Sequence, residues 1–145
     1  MIALIQRVKH GKVEVEGETV GQIQQGILLL LGVERHDNEA GAEKLCNKVL
    51  NYRIFADQQD KMNLNIQQIG GELLVVSQFT LVADTQKGNR PGFSSAASPQ
   101  LGKSLYEHFI VSAKKAGIVC ETGIFGADMQ VSLVNDGPVS FILRA

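Results

Sequence analysis

The stretch Met129-Gln-Val-Ser-Leu-Val-Asn-Asp-Gly-Pro-Val-Ser-Phe-Ile-Leu143 decides how this chain is read. Two runs of apolar and β-branched residues flank Asn135-Asp136-Gly137-Pro138, a four-residue turn signal, so the pattern predicts a closing β-hairpin. Pro138 has no N–H for a ladder, and Gly137 tolerates dihedrals closed to other residues. Such a turn exposes backbone carbonyls with few side-chain atoms around them. It is either simple punctuation or a recognition element made of main chain.

Working outward, residues 2–8 are mostly apolar, and Val13-Glu-Val-Glu-Gly-Glu-Thr-Val20 alternates about a glycine, which predicts a hairpin with one wet face. Ile27-Leu-Leu-Leu-Leu-Gly-Val33 reads as a strand buried on both faces, at the sheet centre. Asp37 or Asn38 can cap a helix whose apolar positions are Ala42, Leu45, Cys46 and Val49. Tyr52-Arg-Ile-Phe55 and Met62-Asn-Leu-Asn-Ile66 read as short strands around a turn at 57–61. A second helix is predicted from the cap Ser98-Pro99, with the stripe Leu101, Leu105, His108, Phe109 and Ala113, ending at Gly117. Residues 118–122 form a further strand. The links are mostly short and suit antiparallel pairing, so the expected fold is α+β: one domain over residues 1–145, with a mainly antiparallel, curved or barrel-like sheet and two main helices.

Composition narrows the function classes. With 44% hydrophobic and 20% charged residues in 145, the chain can bury a real core and is not a disordered or fibrous sequence. Its formal net charge of −1 argues against a protein that coats nucleic acid, so any RNA contact should be small and local. No basic-then-apolar leader opens the chain and no apolar run approaches membrane-spanning length, which makes a cytoplasmic location without membrane contact the expectation. Cys46 and Cys120 read as small buried residues. His10, His36 and His108 are isolated, no ligand spacing for a metal is present, and no cofactor is implied.

Glu72-Leu-Leu-Val-Val-Ser-Gln-Phe-Thr-Leu-Val82 starts as a buried strand and turns polar at its end, without charge or glycine. Polar groups that follow directly on a core strand are held rigidly, as a site requires. Period two places Ser77 and Phe79 on one face and Gln78 and Thr80 on the other, unless a bulge intervenes. Satisfied polar residues at a strand end would give the same pattern. No histidine or acid neighbours Ser77 or Thr80 in sequence to activate a nucleophile. The following loop, 84–95, carries Lys87 and Arg90 beside glycines and a proline, the way a nearly neutral protein can touch phosphates.

The pair Ser77-Gln78-Phe79-Thr80-Leu81 and Asn135-Asp136-Gly137-Pro138-Val139 resembles the two signature motifs of the D-aminoacyl-tRNA deacylases. The resemblance extends through Gln6-Arg7-Val8, Tyr52-Arg-Ile-Phe55, Lys61-Met-Asn63, Gly88-Asn-Arg-Pro91 and Ala127-Asp-Met-Gln-Val131, essentially the whole chain. Ser140 stands where many members carry threonine, and Gly92 where serine is common. The resemblance implies a homodimer, active at its subunit interface, that hydrolyses the ester between a D-amino acid and the acceptor end of tRNA. Glycine mischarged on alanine tRNA is implied as a further substrate. It also implies a cis Gly137-Pro138 peptide that reaches into the partner's site, grips the substrate's α-ammonium and excludes an L side chain, with Arg7 locking this turn across the dimer. Ser77, Gln78, Phe79 and Thr80 are then the catalytic stretch: main-chain N–H groups near Phe79 and Thr80 stabilise an oxyanion, and either Thr80 or the tRNA 2′-hydroxyl assists. Phe125 and Met129 match the pocket for the terminal adenine. The residues themselves also allow a non-catalytic β-rich module that binds an amino acid or an RNA end, and a general threonine-dependent hydrolase.

Overall fold

The structure is a computed structural model and describes residues 1–145. Its elements run β1 (Ile2–Val15), β2 (Glu18–Ile23), β3 (Gly26–Gly32), α1 (Glu39–Asn51), β4 (Phe55–Ala56), β5 (Met62–Leu64), β6 (Glu72–Ser77), α2 (Pro99–Lys115), β7 (Val119–Thr122) and β8 (Gln130–Arg144). The six-stranded sheet has the order β2-β1-β3-β6-β7, with β8 along the free side of β1, while β4 and β5 form a small separate pair. This is the expected α+β architecture of two helices on a curved sheet.

β1 is one 14-residue strand. Its first part pairs with β3, its last part with β2, and β8 follows it almost throughout. The turn from β1 into β2 has two residues of positive φ, Glu16 at 51° and Gly17 at 81°, as a tight hairpin with the right twist requires. Curvature brings the two ends of the sheet together. A Cβ at Gly21 on β2 would collide with the main chain of Thr122 on β7, so glycine is what lets the barrel-like wall close.

β3 occupies the centre as expected, and its pairing with β6 and that of β6 with β7 are parallel. Parallel neighbours need crossovers, and α1 and α2 supply them. Alternation along the central strands then divides the core. Ile5, Ile27, Leu29, Leu73 and Val75 belong to the larger cluster, together with Leu45 and Val49 of α1 and Leu105 and Phe109 of α2. Val8, Leu28, Leu74 and Val76 join a smaller cluster with Val13 and Ile23. Each large side chain so buried contributes about 1.5–3 kcal/mol. Asn38 caps α1 through Gly41 N–H, and Ser98 caps α2 through Leu101 N–H, with Pro99 in its first turn.

Two local expectations are corrected. Residues 129–143 are no hairpin: β8 is a single strand, and Gln6 pairs with Ser140 while Val8 pairs with Asn135, so residues 136–139 bulge outward opposite Arg7 alone. The turn signal marks a local excursion and not a reversal, because β1 is long enough for the chain to rejoin the same ladder beyond it. At the end of β6, the alternation stops at Ser77. Residues Phe79–Val82 form a 3-10 turn, and period two therefore does not assign their faces.

Candidate active site

The 3-10 turn is seated on Gly32 at the end of β3. A Cβ there would lie 2.8 Å from Val82 Cγ1 and 3.3 Å from the Gln78 carbonyl oxygen, so only glycine admits the turn this close. Gln78 N–H donates to the Leu31 carbonyl at 2.8 Å, fixing the strand end before the chain turns. The first N–H groups of the turn, those of Phe79 and Thr80, have no partner within it, as at any helix start. Two main-chain donors at the carboxyl end of a buried strand are thus left without a partner in the turn. The Gln78 side-chain amide donates to Thr80 Oγ1 at 2.6 Å. That bond uses the hydroxyl as an acceptor and supplies no base.

Ser77, Gln78 and Phe79 line a cavity of about 370 Å³ between the ends of β3 and β6 and the start of α2. Its opposite wall is Gly102, Tyr106 and Phe125. Gly102 allows Phe125 to lie against the helix, where an added Cβ would already be 3.4 Å from the ring. Tyr106 and Phe125 pack with ring centroids 5.6 Å apart, and the Tyr106 hydroxyl donates to the Val75 carbonyl. Burial pushes the Tyr106 phenol up to about 12, so it is neutral at any physiological pH. The other lining residues carry no ionisable side chain. This space can hold a flat apolar ring beside uncharged hydrogen-bond donors.

Met129 lies elsewhere. It lines a second cavity, about 340 Å³, with Gln6, Leu28, Leu30 and Val131, on the side of the smaller core cluster. Both cavities include Ser77 and Gln78. Phe125 and Met129, matched to one adenine pocket, therefore stand in two adjoining spaces that meet at the end of β6.

The bulge on β8 is held from within the same chain. Arg7 Nε donates to the Asp136 carbonyl at 3.0 Å and lies 3.5 Å from Asp136 Oδ2, while Nη1 donates to the Ile54 carbonyl at 2.7 Å. Arg7 thus holds the turn of its own chain. The Gly137-Pro138 peptide is cis, Gly137 has φ +130°, and both residues are exposed. Neither lines either of the two cavities at the end of β6. Gln6 comes nearest to bridging the motifs: it lines the second cavity and lies 3.4 Å from the Asn135 side chain. Sequence reasoning missed Gly102 and Tyr106, whose i, i+4 spacing on α2 was the available signal, and the Ile54 carbonyl, for which there was none.

Comparison with known proteins gives concordant findings. The family model described as D-Tyr-tRNA(Tyr) deacylase matches residues 4–144. A protein of Pseudoalteromonas atlantica named D-aminoacyl-tRNA deacylase is 66% identical over 144 residues, covering 99% of each chain. Its namesake in Haemophilus influenzae is 64% identical over the same coverage. Among solved structures, one titled "c-Myc DNA Unwinding Element Binding Protein" superposes with a TM-score of 0.95 at 36% identity, covering 100% of this chain and 99% of that one. One titled as a probable eukaryotic D-amino acid tRNA deacylase has a TM-score of 0.85 at 14% identity, with 99% and 98% coverage, and shows the shared fold.

Proposed function

Because this chain belongs to the D-Tyr-tRNA(Tyr) deacylase family, we propose that it hydrolyses the ester of D-aminoacyl-tRNA, releasing the D-amino acid and free tRNA. The supporting observation is the cavity at the end of β6, with uncharged donors on one wall and aromatic rings on the other. The terminal adenine enters the cavity and lies against the wall formed by Phe125 and Tyr106. The ester carbonyl then lies toward the N–H groups of Phe79 and Thr80, which stabilise the oxyanion formed when water attacks. Collapse of that intermediate breaks the bond to the ribose oxygen, which recovers a proton as alcohol. Thr80 is a poor nucleophile here, since its hydroxyl is engaged by Gln78 and no base lines the cavity. The ribose 2′-hydroxyl of the tRNA assists instead.

The whole chain, residues 1–145, acts as one deacylase domain and as a homodimer in the cytoplasm. An apolar row favours a second copy: Ile142, 63% exposed, pairs with Leu4, which pairs with Leu30. Gly137 and Pro138 of one subunit complete the site of the other, where carbonyls of the bulge grip the α-ammonium and leave no room for an L side chain. Glycine, lacking a side chain, passes the same filter, which extends the substrates to glycyl-tRNA misacylated on alanine tRNA.

The deciding experiment incubates the protein with matched D- and L-aminoacyl-tRNA. Catalytic ester loss from the D form alone is expected. Tight binding without turnover would favour a nucleic-acid-binding module, a reading to which the DNA-binding title of the 36% identical structure lends some support. Turnover of simple esters lacking the nucleotide would point to a general hydrolase.

Thr80→Ala is expected to lower kcat by less than about tenfold, below the usual contribution of a general acid or base. Since Tyr106 is the only titratable lining residue and titrates near 12, kcat/KM corrected for spontaneous hydrolysis should show no enzyme inflection between pH 5 and 8. Complete loss in the Thr80 variant with an intact fold, or a bell-shaped profile, would reinstate side-chain catalysis.

A further inference from the structure

Phe79 and Phe93 stack at the rim of the cavity, ring centroids 4.9 Å apart and planes 23° off parallel, although Phe79 is 56% exposed and Phe93 37%. The pair is rigidly mounted. Phe79 opens the 3-10 turn, and Phe93 follows a segment closed by the reciprocal bonds of Asp84 and Gly92 at 2.8 and 2.9 Å. Beyond Phe93, Ser95 Oγ donates to the Val82 carbonyl at 2.9 Å, and Arg35 donates from Nη1 to the Ser94 carbonyl at 3.0 Å. An aromatic surface is therefore held open to water at the rim of the cavity, which Phe79 itself lines.

The same closed segment carries Lys87 and Arg90, both exposed and neither in an ion pair. Its one acid, Asp84, turns its carboxylate onto the Gln86 N–H at 3.0 Å. Flat exposed rings joined to unpaired cations suit single-stranded nucleic acid, whose bases stack on any aromatic face while its phosphates meet the cations. A second protein copy would gain nothing from burying two uncompensated charges. Resting on the proposed placement of the terminal adenine, we infer that the Phe79–Phe93 stack is the platform for the base of the preceding nucleotide, with Lys87 and Arg90 on the phosphates of the single-stranded end. A protein of net charge −1 needs such a local device to hold tRNA.

The test compares non-hydrolysable 3′-amide analogues, one a D-aminoacyl nucleoside and the other a trinucleotide ending in it. Wild-type protein should bind the trinucleotide about tenfold more tightly, the range expected for one stacked base. In Phe93→Leu this advantage should shrink several-fold, to what the phosphate contacts alone supply, with nucleoside affinity unchanged, and Phe93→Trp should restore it. On D-aminoacyl-tRNA, Phe93→Leu should raise KM at constant kcat, and Lys87→Ala and Arg90→Ala should each flatten the logarithmic salt dependence by about 0.7. An undiminished trinucleotide advantage in Phe93→Leu, equal weakening of both analogues, or dissociation of the wild-type oligomer by that substitution would each overturn the platform. If wild-type protein fails to deacylate D-aminoacyl-tRNA while both analogues bind with the expected ratio, the proposed reaction falls and the platform stands.

Discussion

Gly137→Ala is expected to lower kcat/KM for D-aminoacyl-tRNA by about a hundredfold or more and to loosen rejection of the L form, while costing only about 1–3 kcal/mol of stability. The residue holds φ +130°, which L side chains rarely adopt. A Cβ there would sit 2.8 Å from Val139 Cγ2, 3.0 Å from the Val139 nitrogen and 3.2 Å from Arg7 Nη2. Backbone on one side and the half-buried Arg7 guanidinium on the other leave the bulge only outward displacement. Because residues 137 and 138 are exposed, the rest of β8 can keep its pairing, and the fold absorbs the change. The function does not, since a shift of about 1 Å in a positioning group is enough for a hundredfold loss. Steady-state kinetics on both stereoisomers, with thermal melts alongside, check this. Near-normal rates with intact L rejection would show that the bulge is punctuation after all.

How far the sequence reveals these features depends on the range of the interaction involved. β3 was legible because an apolar run bounded by glycines is compatible only with burial on both faces, and α1 and α2 because their caps and stripes are local. The hairpin at 135–138 was misread for the opposite reason: whether a chain turns back after a turn signal depends on the length of its partner, and β1 extends past the turn. Likewise, the break in alternation after Ser77 comes from the space above Gly32, 45 positions earlier in the chain. Parallel pairing of β3, β6 and β7 is hidden in the sequence because the mostly short links suggest antiparallel neighbours, whereas α1 and α2 act as crossovers. The stretch Ser77–Thr80 is visible in the sequence as a polar strand end, and only the resemblance suggests a role for it. The cavity facing it was not visible, because its far wall is drawn from α2 and from Phe125, residues that meet it only in the fold.

Arg7→Ala should be the most damaging single change, since it removes the clamp that joins the bulge to the body of the protein. Its side chain is 15% exposed and bonds two carbonyls in separate parts of the chain, Asp136 on β8 and Ile54 just before β4. Truncation leaves the carbonyl of Ile54, a fully buried residue, without this partner, and an unmade bond of that kind costs about 1–3 kcal/mol. With loss of the charged bond to Asp136, the total comes to about 2–4 kcal/mol, or a fall in Tm of roughly 5–15 °C. Activity should drop by about a hundredfold or more, because the freed bulge no longer presents Gly137 and Pro138 in one place. Arg7→Lys should recover little, as a single ammonium cannot reach both carbonyls with the geometry of the guanidinium fork. The double variant with Gly137→Ala separates the two consequences. If both substitutions act through the same bulge, the activity losses will fall well short of adding, whereas the stability losses will add in part because the Ile54 bond belongs to Arg7 alone. Fully additive losses in activity would mean that Arg7 serves the reaction by some route other than holding the Gly137-Pro138 turn.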